Sequence, residues 1–272
     1  MRALRPERLE LIDALVAETA LGGITAGLLE KDEHLTDALR ALFALSLDGM
    51  SFAFCGGTSL SKAHGLIERM SEDADLKIVL AAQTLPLSRT QLRKRLSELK
   101  NTVSETLAGI GLVEDKSRTR ALNKNHYFCS EWSYARQYGS VAGLLQHDWD
   151  SALVRHIYDV HCAQVRLPAI VATASQAFAE LVAGDQKEFG GQFPDFAAAA
   201  LPVLSGALRQ AGASTKIQAE YTQNLLPLIY GRGTPGFAEA FAGFEAVALL
   251  ATLERPSHSG SVGKSATLTT GV

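Results

Sequence analysis

Apolar positions recur at intervals of three and four along several stretches of the chain, and each such stretch predicts a helix. Leu9, Ile12, Leu15 and Val16 give one over residues 7–20. Leu28, Leu35, Leu39, Leu42 and Leu45 give a longer one over 25–47. Leu92, Leu96, Leu99, Val103, Leu107 and Ile110 form the clearest stripe, over 89–110, with Ser88 and Gln91 spaced as a capping box. Between these the period changes. Ser51-Phe-Ala-Phe-Cys55 is a short β-prone run that stops at Gly56-Gly57, residues 59–67 return to a helical pattern, and Asp73-Ala-Asp-Leu-Lys-Ile-Val-Leu80 reads as a second strand. Residues 51–80 therefore spell strand, glycine turn, helix, strand. The run 126–134 suggests a strand or two, and 139–150 reads as loop. From Ser151 to about Leu253 the pattern is helical, with turn signals at Pro168, Gly190-Gly191, Gly212 and Gly231-Arg-Gly-Thr-Pro235.

The expected fold is α/β: a small mixed sheet flanked by helices, followed by a mainly helical C-terminal half. The expected division is 1–150, 151–255 and a small, polar, disordered tail at 256–272.

Composition narrows the function only a little. Hydrophobic residues make up 47% of the 272, enough for a packed core. A net charge of -3 shows no chain-wide basic excess of the kind that advertises nucleic-acid binding, although a local patch would serve. The basic side of the 89–110 helix (Arg89, Arg93, Lys94, Arg95, Lys100) reads first as a solvated face and second as a contact for triphosphate or RNA. Cys55, Cys129 and Cys162 are far apart, odd in number and without a CxxC pair, which argues against a disulfide framework or zinc cluster and for a reducing cytoplasm. No run of 18 apolar residues occurs, so no membrane helix is expected. His147, His156 and His161 do not fall into a metal-ligand spacing.

The chemistry concentrates in residues 54–80. A glycine pair after a strand lets the backbone turn sharply and approach a ligand closely. The helix after it presents free N–H groups and a positive dipole end, a good place for phosphate. Gly56, Gly57, Thr58 and Ser59 would form that cradle, the hydroxyls of Thr58 and Ser59 adding donors toward the phosphate, with Lys62 within reach. Asp73 and Asp75 alternate across one residue, so on a strand both carboxylates share a face. Two carboxylates side by side repel unless a cation lies between them, and Mg2+ suits such a pair because it takes hard oxygen ligands and bridges to phosphate. Each half is a weak signal alone; joined through one helix they are much more specific.

The phrase GGTSLSKAHGLIERMSEDADLKI resembles the first motif of the AbiEii/AbiGii toxin family of nucleotidyltransferases, within the DNA polymerase beta-like superfamily. The resemblance implies a phosphate-binding turn at Gly57-Thr58, metal ligation by Asp73 and Asp75, and supporting roles for Arg69, Ser71 and Lys77. Three further places are similar: Leu29-Glu-Lys-Asp32 through Leu42, Arg155-His-Ile-Tyr-Asp-Val160, whose Asp159 lies near the nucleotide in the family, and Tyr230-Gly-Arg-Gly-Thr-Pro-Gly-Phe237. Arg155 and Asp159 are also i,i+4 neighbours, so a local ion pair is the plain alternative. Between the acidic strand and the Arg155 helix the sequence looks shortened. The family's third acidic residue and its lysine find no counterpart; Glu131 is the stand-in on offer, with Asp148 and Asp150 poorer.

The resemblance implies transfer of NMP from an NTP to RNA (tRNA in some relatives) or protein, with Mg2+ or Mn2+ as cofactor. It also implies a toxin of a toxin–antitoxin or abortive-infection system, with a separate cognate antitoxin. A shortened, inactive homologue that binds nucleotide or protein is the reading from another class. A nucleotidyltransferase acting on a small aminoglycoside-like alcohol is a third.

Overall fold

The computed structural model describes residues 2–18, 23–71, 73–81, 87–122, 127–134, 152–231 and 233–253. The 139–150 loop with His147, Asp148 and Asp150, and the 256–272 tail, lie outside the described residues, as do the side chains of Cys129 and Glu131.

Helix α1 (Pro6–Ala17) opens on a proline at its first turn and buries Ile12. Helix α2 (Ala26–Phe43) starts at Thr25, whose hydroxyl accepts the Leu28 amide at 3.3 Å, and buries Leu28, Leu39 and Leu42. It ends four residues before the expected Leu47. The chain then reaches Gly49, whose φ of 64° turns it into strand β1 (Met50–Cys55). Two acid–base groups are buried in α2: Glu30, 1% exposed, and His34, 3% exposed, whose ring stacks 4.0 Å from that of Tyr134.

Short helix α3 (Gly56–Lys62) follows β1 at once, and strand β2 (Asp75–Leu80) returns antiparallel to β1, pairing Cys55 with Asp75, Ala53 with Lys77 and Ser51 with Val79. Alternation sorts the sheet's two faces. Met50, Phe52, Leu76 and Ile78 face inward and pack against Leu99, Val103 and Leu107 of helix α4 (Arg89–Gly109) and Leu42 of α2. Asp75, Lys77 and Val79 point to the open face, away from α4. The α4 capping box forms as expected, with Ser88 and Gln91 exchanging hydrogen bonds of 3.2 and 2.9 Å. Because the leucine stripe of α4 covers the inward face of the sheet, α4 lies across the sheet from Asp75. Two of its cations are paired with carboxylates: Lys94 lies 3.8 Å from Glu98, and Arg95 lies 3.7 Å from Asp48.

A hairpin of β3 (Val113–Leu122) and β4 (Tyr127–Ser133) follows, with a register shift between Asp115 and Arg120. The patterning anticipates β4 but not β3, whose Glu-Asp-Lys-Ser-Arg run lacks an apolar alternation; pairing with β4 organises it. Among the described residues the strands form two separate antiparallel pairs, so the expected mixture of strand directions is not found there.

The C-terminal half is helical: α5 (Ala152–Arg166), α6 (Pro168–Phe189), α7 (Pro194–Ala198), α8 (Ala200–Ala213), α9 (Thr215–Glu220) and α10 (Phe237–Leu253). A π turn over 221–225 and a 3-10 turn over 226–228 continue α9. Breaks fall at Pro168 and Gly190-Gly191 as expected. Gly212 does not mark one: it sits inside α8, where a Cβ would stand 2.7 Å from the Phe241 ring, and the turn comes at Ser214. That glycine serves helix–helix approach, not chain reversal.

The C-terminal core holds Val154, Ile157, Tyr158, Tyr221, Leu225, Ile229, Ala240 and Phe241, and Ile67 lies within the same cluster, 1% exposed. Leu60 and Leu66 pack against it. The segment just after α3 is therefore anchored among the C-terminal helices.

Candidate active site

The corner between β1 and α3 is shaped by two close approaches. Gly56 has a φ of 73°, a left-handed conformation that disfavours side chains. A Cβ there would also collide with the Asp75 Oδ2 atom. At Gly57 a Cβ would collide with the Arg69 Nη2 atom and stand 3.1 Å from its Cζ. The two glycines thus make room for the two side chains that cover the turn.

Asp73 and Asp75 are both exposed at this corner. Asp75 opens β2 opposite Cys55, while Asp73 precedes the strand by two residues, so strand alternation does not set their relation. A different contact places Asp73: the buried Thr58 hydroxyl donates to its carbonyl. Ser59, also buried, donates to the Phe54 carbonyl at 3.0 Å. Both hydroxyls expected to face a phosphate are thus spent on holding the backbone. What the corner presents outward is main chain and the two carboxylates.

Lys62 points to α2, where its Nζ donates to Asp32 at 2.6 Å and to Thr36 Oγ1 at 2.8 Å. Lys77 is exposed on the open face, two residues beyond Asp75, and Ser71 is half-buried in the approach to Asp73. Arg69 is buried at 3% exposure and gripped by Asp159 of α5, itself 5% exposed, through a two-pronged pair: Nε to Oδ1 at 2.7 Å and Nη2 to Oδ2 at 2.6 Å. Its Nη1 donates to the Met70 carbonyl at 3.1 Å. The Arg155–Asp159 pair suggested by their spacing does not form, because Arg69 has taken the carboxylate; Arg155 stays half-buried one turn earlier. Cys55 is half-buried with its thiol on the Ala53 carbonyl, a strand residue without a nucleophile's surroundings.

A seam that the sequence did not reveal closes the site from behind. The Met70 amide donates to the Leu228 carbonyl and the Tyr230 amide to the Glu68 carbonyl, each at 2.9 Å, around an antiparallel bridge between Arg69 and Ile229. The Glu68 amide donates to the Tyr158 hydroxyl at 3.3 Å, and its carboxylate pairs with Arg166 at 3.1 Å. Burial pushes the Tyr158 phenol well above the usual range, so it stays neutral. Tyr158 and Tyr230 lie inside the stretches 155–160 and 230–237 singled out in the sequence, and that is where a signal for them existed.

Residues 37–147 match the family model described as nucleotidyl transferase AbiEii toxin, Type IV TA system. Over that span the chain is AbiEii-like. No curated protein and no solved structure matches the chain. The matched segment contains β1, the glycine corner, β2, α4 and the β3–β4 hairpin, and stops before α5. Asp159 and the seam partners at 228–230 therefore lie outside it, although they meet its Arg69. Asp73 and Asp75, both exposed at the corner, are hard oxygen donors of the kind Mg2+ takes, and they are the residues that would hold it. Among the described residues no group of three or more acidic, histidine or cysteine side chains is placed to hold a metal, and none of the described helices is long and apolar enough to cross a membrane.

Proposed function

We propose that this protein is a metal-dependent nucleotidyltransferase toxin that moves a nucleoside monophosphate from an NTP to a hydroxyl of RNA, tRNA among the candidates, or of a protein. The observation that carries the reading is the meeting of the glycine corner with both acidic residues: Asp75 stands over Gly56, and Thr58 holds the main chain of Asp73. In this reading Gly56 and Gly57 let phosphate oxygens approach the main chain, with the N–H groups of Thr58 and Ser59 nearby. Asp73 and Asp75 hold Mg2+ (or Mn2+). The ion supplies charge neutralisation at the phosphates and a more acidic attacking hydroxyl. Lys77, exposed on the face of Asp75, would meet developing negative charge. Ser71 and Arg155 are supporting polar groups in this reading. Lys62 reaches phosphate only by leaving Asp32. The family description supports a cognate antitoxin as the partner, and action in the cytoplasm belongs to the same reading.

The second reading is a nucleotide- or protein-binding module without turnover, favoured by the shortening of the sequence between the acidic strand and the Arg155 helix. Incubation with each α-labelled NTP, Mg2+ and total tRNA separates the two. Label on RNA or protein that is lost with EDTA, with Asp73→Ala and with Asp75→Ala supports the enzyme. No label with any NTP, together with metal-independent binding of a partner, supports the module. Label on an aminoglycoside alone would move the acceptor to small alcohols.

A further inference from the structure

We propose that Arg69 and Asp159 are positioning residues: together they form a strut from α5 that fixes the glycine corner, and Asp159 influences the reaction through Arg69 without touching the substrate.

The argument begins with burial. Neither side chain is open to a ligand, at 3% and 5% exposure. Each satisfies the other by two charge-assisted hydrogen bonds of 2.7 and 2.6 Å, the geometry in which a guanidinium is most strongly oriented. A third bond, from Nη1 to the Met70 carbonyl at 3.1 Å, fixes the plane of the group. Both carboxylate oxygens of Asp159 are thus engaged by the guanidinium.

The fixed guanidinium rests on Gly57. A Cβ at that residue would overlap Nη2, so main chain and guanidinium are in direct contact with no side chain between them. Gly57 is followed by Thr58, which holds Asp73. One continuous path therefore runs from Asp159 in α5 through Arg69 to the corner and on to the acid pair. The far end is firm, because Asp159 neighbours Tyr158 and Ile157 of the buried core, and Arg69 is bridged to Ile229. A mobile arginine facing a glycine could swing aside; this one is held at both ends.

The functional half of this inference rests on the nucleotidyltransferase reading, but its structural half can be read without turnover. The primary measurement is amide hydrogen exchange at residues 60–63, whose N–H groups bond back to the carbonyls of the corner, in the full chain, with the α10 amides as an internal reference for global stability. In Asp159→Asn, exchange at 60–63 rises about tenfold more than exchange in α10. Because a lone buried guanidinium can unfold the protein, the second variant replaces the whole pair with apolar groups, Arg69→Met with Asp159→Leu, a change that buried ion pairs tolerate. It too speeds exchange at the corner.

The decisive test is a double-mutant cycle. Gly57→Ala alone, by pushing the guanidinium away, also speeds exchange at 60–63. In the background that carries the apolar pair, the same Gly57→Ala change adds nothing. Where NTP turnover is present, the Asp159 variants raise KM and lower kcat but keep both limbs of the pH–rate profile; a proton-transferring Asp159 would lose one limb. Exchange at 60–63 that rises no more than that in α10 in Asp159→Asn and in the apolar pair, additive effects of Gly57→Ala, or a lost limb would each overturn the strut. Absence of turnover with any NTP, alongside non-additive exchange, would refute the enzymatic reading and leave the strut standing.

Discussion

Gly56 and Gly65 offer a matched pair of perturbations. Both residues are left-handed, with φ of 73° and 60°. Alanine at either one carries the left-handed penalty of a side chain, about 1–2 kcal/mol. Their surroundings differ. A Cβ at Gly65 meets nothing within 4 Å, whereas one at Gly56 overlaps Asp75 Oδ2. Asp75 is exposed and its carboxylate can rotate away, so the collision is relieved by moving the carboxylate rather than by opening the fold. Gly65→Ala and Gly56→Ala should therefore cost similar stability, about 1–2 kcal/mol each in urea titrations. Only Gly56→Ala should displace a metal-holding group. A shift of about 1 Å in a reacting constellation can cost roughly 100-fold in rate, so Mg2+-dependent label transfer should fall by about that factor in Gly56→Ala and stay near wild type in Gly65→Ala. Equal activity of the two variants at equal stability would refute the assignment of Asp75, as would a Gly56→Ala protein whose entire loss is explained by unfolding.

Other consequences can be measured on the same material. Tyr221 is fully buried and its hydroxyl donates to the Pro235 carbonyl at 2.9 Å; Tyr221→Phe should cost about 1–3 kcal/mol by leaving that carbonyl unpaired, and a cost near zero in urea denaturation would show that the bond is not formed. Thr58→Val keeps the shape and removes the bond to Asp73, with an expected loss of about 1–2 kcal/mol and weaker Mg2+-dependent nucleotide binding by calorimetry; unaltered binding would mean that Asp73 is held in place by other contacts. Burial, then the charge of Arg2, pulls the His34 imidazolium down to about 4 from 6.5. The unfolded chain then takes up a proton near pH 6.5 that the folded protein refuses until about pH 4. Stability from this group is thus complete above pH 6.5 and falls as the pH drops toward 4, with a slope approaching about 1.4 kcal/mol per pH unit. Urea midpoints at about pH 7 and about pH 5 should lie closer together in His34→Leu than in the wild type; equal spacing would refute the buried neutral ring.

How much of this was legible depends on the range of the interactions. The α4 helix, its capping box and the strand–glycine–helix–strand order are local, so spacing and turn chemistry reveal them. The fit of Gly56 beneath Asp75 was legible as a pairing of two motifs, though its reason was not: the sequence suggested hydroxyls facing phosphate, and the structure spends Thr58 and Ser59 on the backbone. Gly212 looked like a turn because a glycine's role in helix contact depends on Phe241, distant in sequence. The Arg69–Asp159 pair was hidden for the same reason. Local spacing gave Asp159 a neighbour in Arg155, and only the packing of α5 on the 66–70 segment shows which arginine reaches it. Strand β3 has no pattern of its own and is defined by its partner.

The pairing of Arg69 with a carboxylate 90 residues downstream also has a meaning for biosynthesis. The glycine corner and its acids leave the ribosome long before α5 and the 228–230 seam exist to brace them. A growing chain therefore carries the whole motif in an unbraced form until its helical half has been made and folded. Prematurely terminated products that end ahead of Asp159 would possess every residue of the corner without the carboxylate that grips Arg69.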